Sequence, residues 1–201
     1  MQRRSSADSD GDSRCPPRTV LPSGSHNVMN TFEELFDIVD VDDHVIGQRP
    51  RSEVHRLRLL HRAVHVFLFR PDGTLLIHKR SANKEEFPSV WTSSCSGHVS
   101  AGETYDASAP RELFEELGIS ASLTRLMNFA ACEDTSFEFT VLYASETSDP
   151  LTPDAGEISE VRWMSPPDVA EWMKATPGDF SPAFRVLFQW FLEHGSQWNS
   201  P

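Results

Sequence analysis

The chain has 201 residues, with 18 Lys and Arg against 30 Asp and Glu, so its formal net charge is −12. That length suits one compact domain with appendages or two small domains, and a hydrophobic content of 38% is enough for a core. The acidic balance argues against general affinity for a nucleic acid polymer or an anionic membrane, but a local cationic site for one phosphorylated small molecule is compatible with it.

The first 30 residues are rich in Ser, Asp, Arg and Pro and show no apolar periodicity. We therefore predict a disordered tail at 1–30, an ordered domain at 31–196 and a short C-terminal tail at 197–201. Within the domain, segment 36–48 alternates apolar and polar residues around an Asp-Asp pair, which predicts a hairpin. A polar stretch follows, and then two apolar runs flank a Pro-Asp-Gly turn and predict a second hairpin over 61–79.

A long loop over 80–103 leads into a helix that we expect to end at Gly118. Further strands are predicted at 123–131, 137–145 and 159–164, and helices at 166–175 and 181–195. Strands interleaved with helices indicate a mixed α/β domain.

Three glutamates dominate the predicted helix. Glu112, Glu115 and Glu116 stand at i, i+3 and i+4 and share one face. Adjacent carboxylates repel one another, so their clustering indicates a compensating charge, and carboxylate oxygens suit Mg²⁺ or Mn²⁺. For this cluster alone, a solvated Glu-rich face is the alternative.

Segment 97–119, GHVSAGETYDASAPRELFEELGI, resembles the Nudix box, G-x5-E-x7-R-E-U-x-E-E-x-G-U, in which U is aliphatic. Every defined position matches, namely Gly97, Glu103, Arg111, Glu112, Leu113, Glu115, Glu116, Gly118 and Ile119. The resemblance implies an α/β/α sandwich with a mixed sheet. It also implies a hydrolase that cleaves the diphosphate linkage of a nucleoside diphosphate joined to another moiety, or of a related organic diphosphate.

The resemblance also implies roles for single residues. Glu112, Glu115, Glu116 and the backbone carbonyl of Ser96 would be ligands of Mg²⁺ or Mn²⁺, which would hold diphosphate oxygens and activate water. Glu103 and Arg111 would support the site, Arg111 by orienting the box carboxylates. The general base is left open, and the candidates are Glu112, Glu116, Glu138 and Glu157.

Pro110 is unusual inside this helix, because proline is comfortable only in the first turn. It predicts a late helix start, near Asp106 or Ala107, with Asp106 as the cap.

Region 61–103 also resembles type I isopentenyl-diphosphate isomerases, which share the Nudix fold. In those enzymes a catalytic cysteine directly precedes a Gly-His pair, whereas Ser96 holds that position here and Cys95 lies one place early. On extended chain this displacement turns the thiol to the opposite side.

The metal ligands of the isomerases correspond only in part. Of two acids on a later strand, the pair reads Ser136 and Glu138 here, and of two early histidines, His61 fits while His55 is one position off. An isomerase is therefore the first alternative function, and a non-catalytic nucleotide-binding module is the second.

Arg80 and Lys84 align with diphosphate-binding cations of the isomerases and are predicted to bind substrate, with a solvated basic loop as the alternative. His98, beside the box glycine, is a candidate for contact with metal or phosphate. For His61 and His65 we favour packing or a hydrogen bond over ligation.

Phe87, Trp91 and Cys95 lie in or next to the predicted long loop. We expect Phe87 and Trp91 to pack in the core rather than stack on a base, and Cys95 to be a small buried residue. Three scattered cysteines indicate a reducing compartment, for which the cytoplasm is our prediction. The expected partners are a small-molecule diphosphate and, in a homodimer, a second copy of the chain.

Overall fold

The strand β3 (His61–Phe69) lies at the centre of the sheet and is buried along almost its whole length. In the computed structural model, which describes residues 33–195, it pairs in parallel with β8 (Glu138–Glu146). It pairs antiparallel with β4 (Leu75–Arg80) and β6 (Cys95–His98). A continuous apolar run is typical of a strand covered on both faces, and the predicted mixed sheet is confirmed.

Seven strands of the described region form this sheet. β5 (Trp91–Thr92) follows β4 on one side, β7 (Thr124–Phe129) follows β8 on the other, and β9 (Ile158–Met164) pairs with β4. The predicted second hairpin is confirmed at its tip, where Phe69 pairs with Leu75. Beyond the tip its strands separate, because β6 pairs with β3 and β9 pairs with β4. The short strands β5 and β6 lie within 80–103, where one long loop was predicted, so that prediction is wrong at these residues.

Helices cover both faces of the sheet. α2 (Tyr105–Leu117) contributes to one hydrophobic core, while α3 (Pro166–Ala175) and α4 (Pro182–His194) contribute to the other. Because successive strand residues point to opposite faces, β3 supplies Val64, Val66 and Leu68 to the first core and Phe67 and Phe69 to the second. The α/β/α sandwich is confirmed.

The helix α2 begins slightly earlier than expected. Thr104 caps it, since the side-chain oxygen accepts from the Ala107 N–H at 3.3 Å, so the prediction of Asp106 as the cap is wrong. Asp106 lies in the first turn and accepts a hydrogen bond from the Tyr143 hydroxyl at 2.5 Å. Gly118 ends the helix in the left-handed conformation, with φ of 71°, as predicted.

The first hairpin is confirmed and forms a separate two-stranded sheet of β1 (Leu35–Val39) and β2 (Val45–Pro50). Its turn is held by Asp40, whose carboxylate accepts from the backbone N–H groups of Asp42 and His44. A short helix, α1 (Arg51–Leu57), follows at once and was not predicted, because its sequence is polar and it buries only Val54 fully.

The predicted tails at 1–30 and 197–201 and the residue Cys15 lie outside the described residues. Between residues 33 and 195, no helix is both long and apolar enough to cross a membrane. The domain limits, the cytoplasmic location and the homodimer stay predictions.

Candidate metal and diphosphate site

A cavity of about 430 Å³ is bounded by α2, β6, the segment over 80–87 and the start of α4. Its lining contains most of the site residues expected from the sequence, namely Arg80, Lys84, Ser96, Arg111, Glu112, Glu115 and Glu116. Glu103 reaches this group through Arg111. Residues from four separate parts of the chain thus meet at one place.

Two of the helix glutamates are held against β6. Glu116 is buried, and its Oε2 accepts from the Ser96 N–H at 3.2 Å. The carboxylate of Glu112 lies on Gly97, where an added Cβ would be 2.0 Å from the Glu112 Cδ. A glycine at 97 therefore leaves the space that the carboxylate occupies.

Burial dominates the electrostatics of these two acids. It raises the pKa of Glu112 to about 7, although Arg111 acts in the opposite direction. Burial also raises the pKa of Glu116 to about 8, and the neighbouring charge of Glu112 adds to the effect. The charged forms of both acids are therefore less stable here than in water, and an added cation would stabilise them.

Arg111 compensates the outer part of the cluster. It binds both oxygens of Glu103, with Nε and Nη2 at 2.9 and 2.8 Å, and its Nη1 contacts Glu112 at 2.8 Å and Glu115 at 3.1 Å. The pKa of Arg111 is raised mainly by its hydrogen bonds to Glu103, so Arg111 stays cationic. Within residues 33–195, no Arg or Lys pairs with Glu116.

The donor set is suited to a divalent cation. Glu112, Glu115 and Glu116 offer only oxygen ligands, which Mg²⁺ and Mn²⁺ prefer. The inner acid Glu116 lacks a basic partner in the described part of the chain, so added positive charge there would offset the repulsion. The residues present therefore fit the expected metal.

The two predicted substrate cations also lie at the cavity. The Arg80 guanidinium donates from Nε and Nη2 to the carbonyl oxygen of Glu86, at 3.1 and 3.0 Å. Lys84 forms an ion pair with Glu157, which lines the same cavity. Both cations are thus held beside the carboxylates by neighbours that a more strongly charged ligand could replace.

A second cluster, made of His55, His61 and His98, was not expected as a unit. Each ring offers a nitrogen within 4.8 Å of those of the other two, which makes the cluster a candidate metal centre. Glu138 Oε1 lies 3.1 Å from His98 Nε2 and 3.5 Å from His61 Nε2. The buried Nε2 of His55 has no hydrogen-bond partner in residues 33–195, so the cluster has a nitrogen free to ligate.

The partners of this cluster orient its rings. His61 Nδ1 lies 2.9 Å from the Leu59 carbonyl, and His55 Nδ1 lies 3.2 Å from Glu86 Oε1. Burial alone would raise the pKa of Glu138, but its close contact with His61 and its hydrogen bond with His98 lower it well below its usual range. In sequence, His55 lies one position away from an early metal histidine of the isomerases. It lies on helix α1, and the fold brings its ring into the cluster.

Comparison with known proteins identifies the family. The sequence profile of the NUDIX domain matches residues 59–184. Over 155 residues, the chain is 32% identical to the prenyl-diphosphate phosphatase of Methanosarcina mazei, which covers 75% of this chain and 91% of that protein. The chain belongs to the NUDIX family.

The chain is also similar to a second curated protein and to a solved structure. The isopentenyl-diphosphate Delta-isomerase of Burkholderia multivorans is 31% identical over 163 residues, covering 79% of this chain and 93% of that protein. The crystal structure of DR0079 from Deinococcus radiodurans matches with a TM-score of 0.65 at 30% identity, covering 71% of this chain and 90% of that chain. NUDIX membership confirms the predicted fold class and the predicted enzyme class, a Nudix-type diphosphate hydrolase.

Three positions distinguish this NUDIX protein from the isomerase pattern. Cys95 is fully buried in the α2 core, as predicted, and burial raises the pKa of its thiol well above the usual value. Ser96 lines the cavity in its place. Ser136, at the position of the missing acid, also lines the cavity and has a left-handed backbone with φ of 54°.

Of the predictions for His65, Trp91 and Phe87, two are confirmed and one is wrong. His65 forms a hydrogen bond of 2.7 Å with the Ser93 hydroxyl, and Trp91 packs in the second core, both as expected. The prediction that Phe87 packs in the core is wrong, because its side chain is 41% exposed and lines the cavity. The backbone at Phe87 is left-handed, with φ of 46°, in a loop that sequence periodicity does not describe.

Proposed function

We propose that this protein uses a divalent cation to hydrolyse the diphosphate linkage of a small organic diphosphate. The observation that carries the proposal is that the Glu112 and Glu116 carboxylates share one cavity with the cations of Arg80 and Lys84. Acids that can hold a cation and bases that can hold phosphate oxygens are both needed to bind and cleave such a linkage.

In this proposal Glu112, Glu115, Glu116 and the Ser96 carbonyl hold Mg²⁺ or Mn²⁺. When bound, the cation supplies Lewis acidity that offsets the diphosphate charge and makes water more acidic. Glu103 fixes Arg111, which in turn keeps Glu112 and Glu115 in place.

The chain's own cations hold the substrate. Arg80 binds phosphate oxygens while it keeps its contact with the Glu86 carbonyl, and Lys84 leaves Glu157 to bind another phosphate oxygen. A carboxylate takes a proton from the attacking water, and the water oxygen bonds to one phosphorus. The bond from that phosphorus to the bridging oxygen breaks, and the bridging oxygen keeps the electron pair and leaves with the other phosphoryl group. Glu112, Glu116, Glu138 and Glu157 all line the cavity, so the base stays open among them.

The relative named a prenyl-diphosphate phosphatase makes prenyl diphosphates the first substrates to test. Purified full-length chain with Mg²⁺ or Mn²⁺ is incubated with isopentenyl and geranyl diphosphates, nucleotide sugars and dinucleotides, and phosphorus NMR identifies the products. We expect metal-dependent cleavage of a diphosphate linkage that EDTA abolishes. Binding of a substrate without any cleavage would instead support the non-catalytic module.

The role of Glu116 has a direct test. Glu116→Gln removes charge without changing shape, so turnover is expected to be abolished while the circular dichroism spectrum is unchanged. Glu193→Gln is the matched control, because Glu193 is exposed on α4 and outside the cavity. Full activity of the Glu116 variant would contradict the assigned role.

An isopentenyl-diphosphate isomerase is the second candidate. The His55, His61 and His98 cluster with Glu138 favours it, as do the relatives of that name. The buried position of Cys95 opposes it. With isopentenyl diphosphate, proton NMR detects dimethylallyl diphosphate, which would establish isomerisation, and phosphorus NMR detects released phosphate, which supports hydrolysis.

A further inference from the structure

We infer that Phe87 selects the organic group of the substrate by presenting an apolar surface to the chain attached to the diphosphate. The inference rests on the proposed function and adds a specificity residue to it. Among the described side chains that line the cavity, only Ala63, Phe87 and Ala183 are apolar, and only Phe87 is large. An apolar group in this cavity therefore leaves water chiefly by lying on the Phe87 ring.

The ring is available for such a contact. Phe87 is 41% exposed, whereas Trp91 in the same segment is buried and packs on Trp172 with ring centroids 5.4 Å apart. Among the ring contacts between described residues, none involves Phe87. The loop thus buries one aromatic ring and leaves the other at the edge of the cavity.

The backbone that places the Phe87 ring at the cavity is in a conformation that is energetically unfavourable for residues other than glycine. Phe87 and Ser89 both have left-handed backbones, with φ of 46° and 62°, which disfavours residues other than glycine. The preceding residue is held on two sides, because the Glu86 carbonyl accepts from Arg80 and its carboxylate lies 3.2 Å from His55 Nδ1. Strain kept in place by such contacts is typical of a functional position.

The neighbourhood also indicates what the ring contacts. Arg80, the proposed diphosphate cation, touches the residue directly before Phe87, so the group next to the diphosphate comes close to the ring. No Asn or Gln from the described part of the chain lines the cavity to pair with the edge of a base. An apolar chain, such as a prenyl group, fits this lining better than a nucleobase.

The test is a chain-length series on the full-length protein with Mg²⁺. The substrates are methyl, dimethylallyl and geranyl diphosphate, and the variants are Phe87→Ala, Phe87→Leu and Phe87→Trp. Phe87→Ala is expected to lower kcat/KM for geranyl diphosphate about tenfold and that for methyl diphosphate less than twofold. Phe87→Leu, which keeps apolar area, is expected to retain most of the wild-type preference.

The control is Leu192→Ala, which removes an apolar side chain of similar exposure, 42%, from α4 outside the cavity. It is expected to leave all three values of kcat/KM unchanged. An equal effect of Phe87→Ala on all three substrates would overturn the inference. So would loss of the preference in the Leu variant but not in the Trp variant, since that pattern indicates stacking on a flat ring.

A binding measurement separates this inference from the proposed function. Calorimetry compares methylenediphosphonate with and without a geranyl chain, for the wild type and for Phe87→Ala. If the wild type prefers the geranyl compound through Phe87 but cleaves no diphosphate, the proposed function fails and the inference stands. If the wild type cleaves diphosphates without preferring the geranyl compound, the inference fails and the proposed function stands.

Discussion

At the scale of single residues, the site depends on the absence of a side chain at Gly97. The Glu112 carboxylate occupies the space beside Gly97 that a Cβ would take, and from there it reaches Arg111. The backbone of Gly97 has no unusual φ, so its requirement for glycine comes from this close approach.

Gly97→Ala is therefore expected to displace a functional group rather than unfold the protein. The flexible Glu112 side chain can move away, which separates it from Arg111 and from the proposed metal position. We expect kcat to fall at least tenfold while the free energy of unfolding changes by about 1 kcal/mol or less.

Phosphate release and urea unfolding measure the two quantities. Gly47→Ala is the matched control, because an added Cβ there meets no atom within 4 Å. Wild-type turnover in Gly97→Ala would show that the position of Glu112 is not critical.

A buried histidine connects stability to pH. Burial lowers the pKa of His78 to about 4; its hydrogen bond with the Ser94 carbonyl acts in the opposite direction, while Arg80 and His65 lower the pKa further. In the unfolded chain the pKa is about 6.5, so between these values the unfolded state binds more protons. The contribution of uncharged His78 to the free energy of unfolding is complete above pH 6.5 and is lost as the pH falls towards 4.

His78→Gln should make this pH dependence weaker. Between pH 7 and 4 the wild type is expected to lose up to roughly 3 kcal/mol more of its free energy of unfolding than the variant. Urea unfolding at several pH values measures the difference, with the exposed His194→Gln as the control. Parallel curves for wild type and His78→Gln would show that His78 is not the group responsible.

At the scale of elements, α2 has a capped N-terminus but an interior proline that lacks a backbone hydrogen bond. Thr104 caps its first turn, but Pro110 lies inside it and has no N–H to donate to the carbonyl of Asp106. The helix persists because Ala109, Leu113 and Leu117 are buried in the first core. Tertiary packing thus overrides a local preference that predicted a later start.

Two substitutions in α2 should act in opposite directions. Pro110→Ala restores a helix donor at an exposed position, so the free energy of unfolding should rise by roughly 1–2 kcal/mol. Thr104→Ala removes the cap and should lower it by about 1 kcal/mol. Chemical denaturation tests both, and a loss of stability in Pro110→Ala would mean that the ring stabilises the native helix.

At the scale of the whole molecule, the sheet separates two cores with different contents. The second core, under α3 and α4, is aromatic, and its Phe184 and Phe188 rings stack with centroids 5.3 Å apart. The cavity is bounded by α2 and by only the start of α4, so the buried ring of Phe188, farther along α4, is separate from the cavity lining.

Phe188→Ala tests this separation. Loss of a fully buried ring should cost about 3–5 kcal/mol of unfolding free energy while KM for the best substrate stays within twofold of the wild type. Leu192→Ala on the same helix should change stability by at most about 0.5 kcal/mol, because Leu192 is exposed. A large increase in KM for folded Phe188→Ala would show that the α4 core also shapes the cavity.

Within residues 33–195, the sequence by itself determined the central strands, three of the four α-helices and the glutamate cluster. Strand and helix periods are local, and the spacing of Glu112, Glu115 and Glu116 places them on one face wherever the helix lies. The family motif extended this to Arg111 and Glu103, whose pairing the structure contains.

Only the tertiary structure decided what meets across the chain. The His55, His61 and His98 cluster draws on α1, β3 and β6, and α1 itself has too little apolar pattern to be predicted. Phe87 faces the cavity because its loop has a left-handed backbone that other elements hold in place. Such contacts join residues distant in sequence, and no local preference encodes them, so they follow only from the packing of the whole domain.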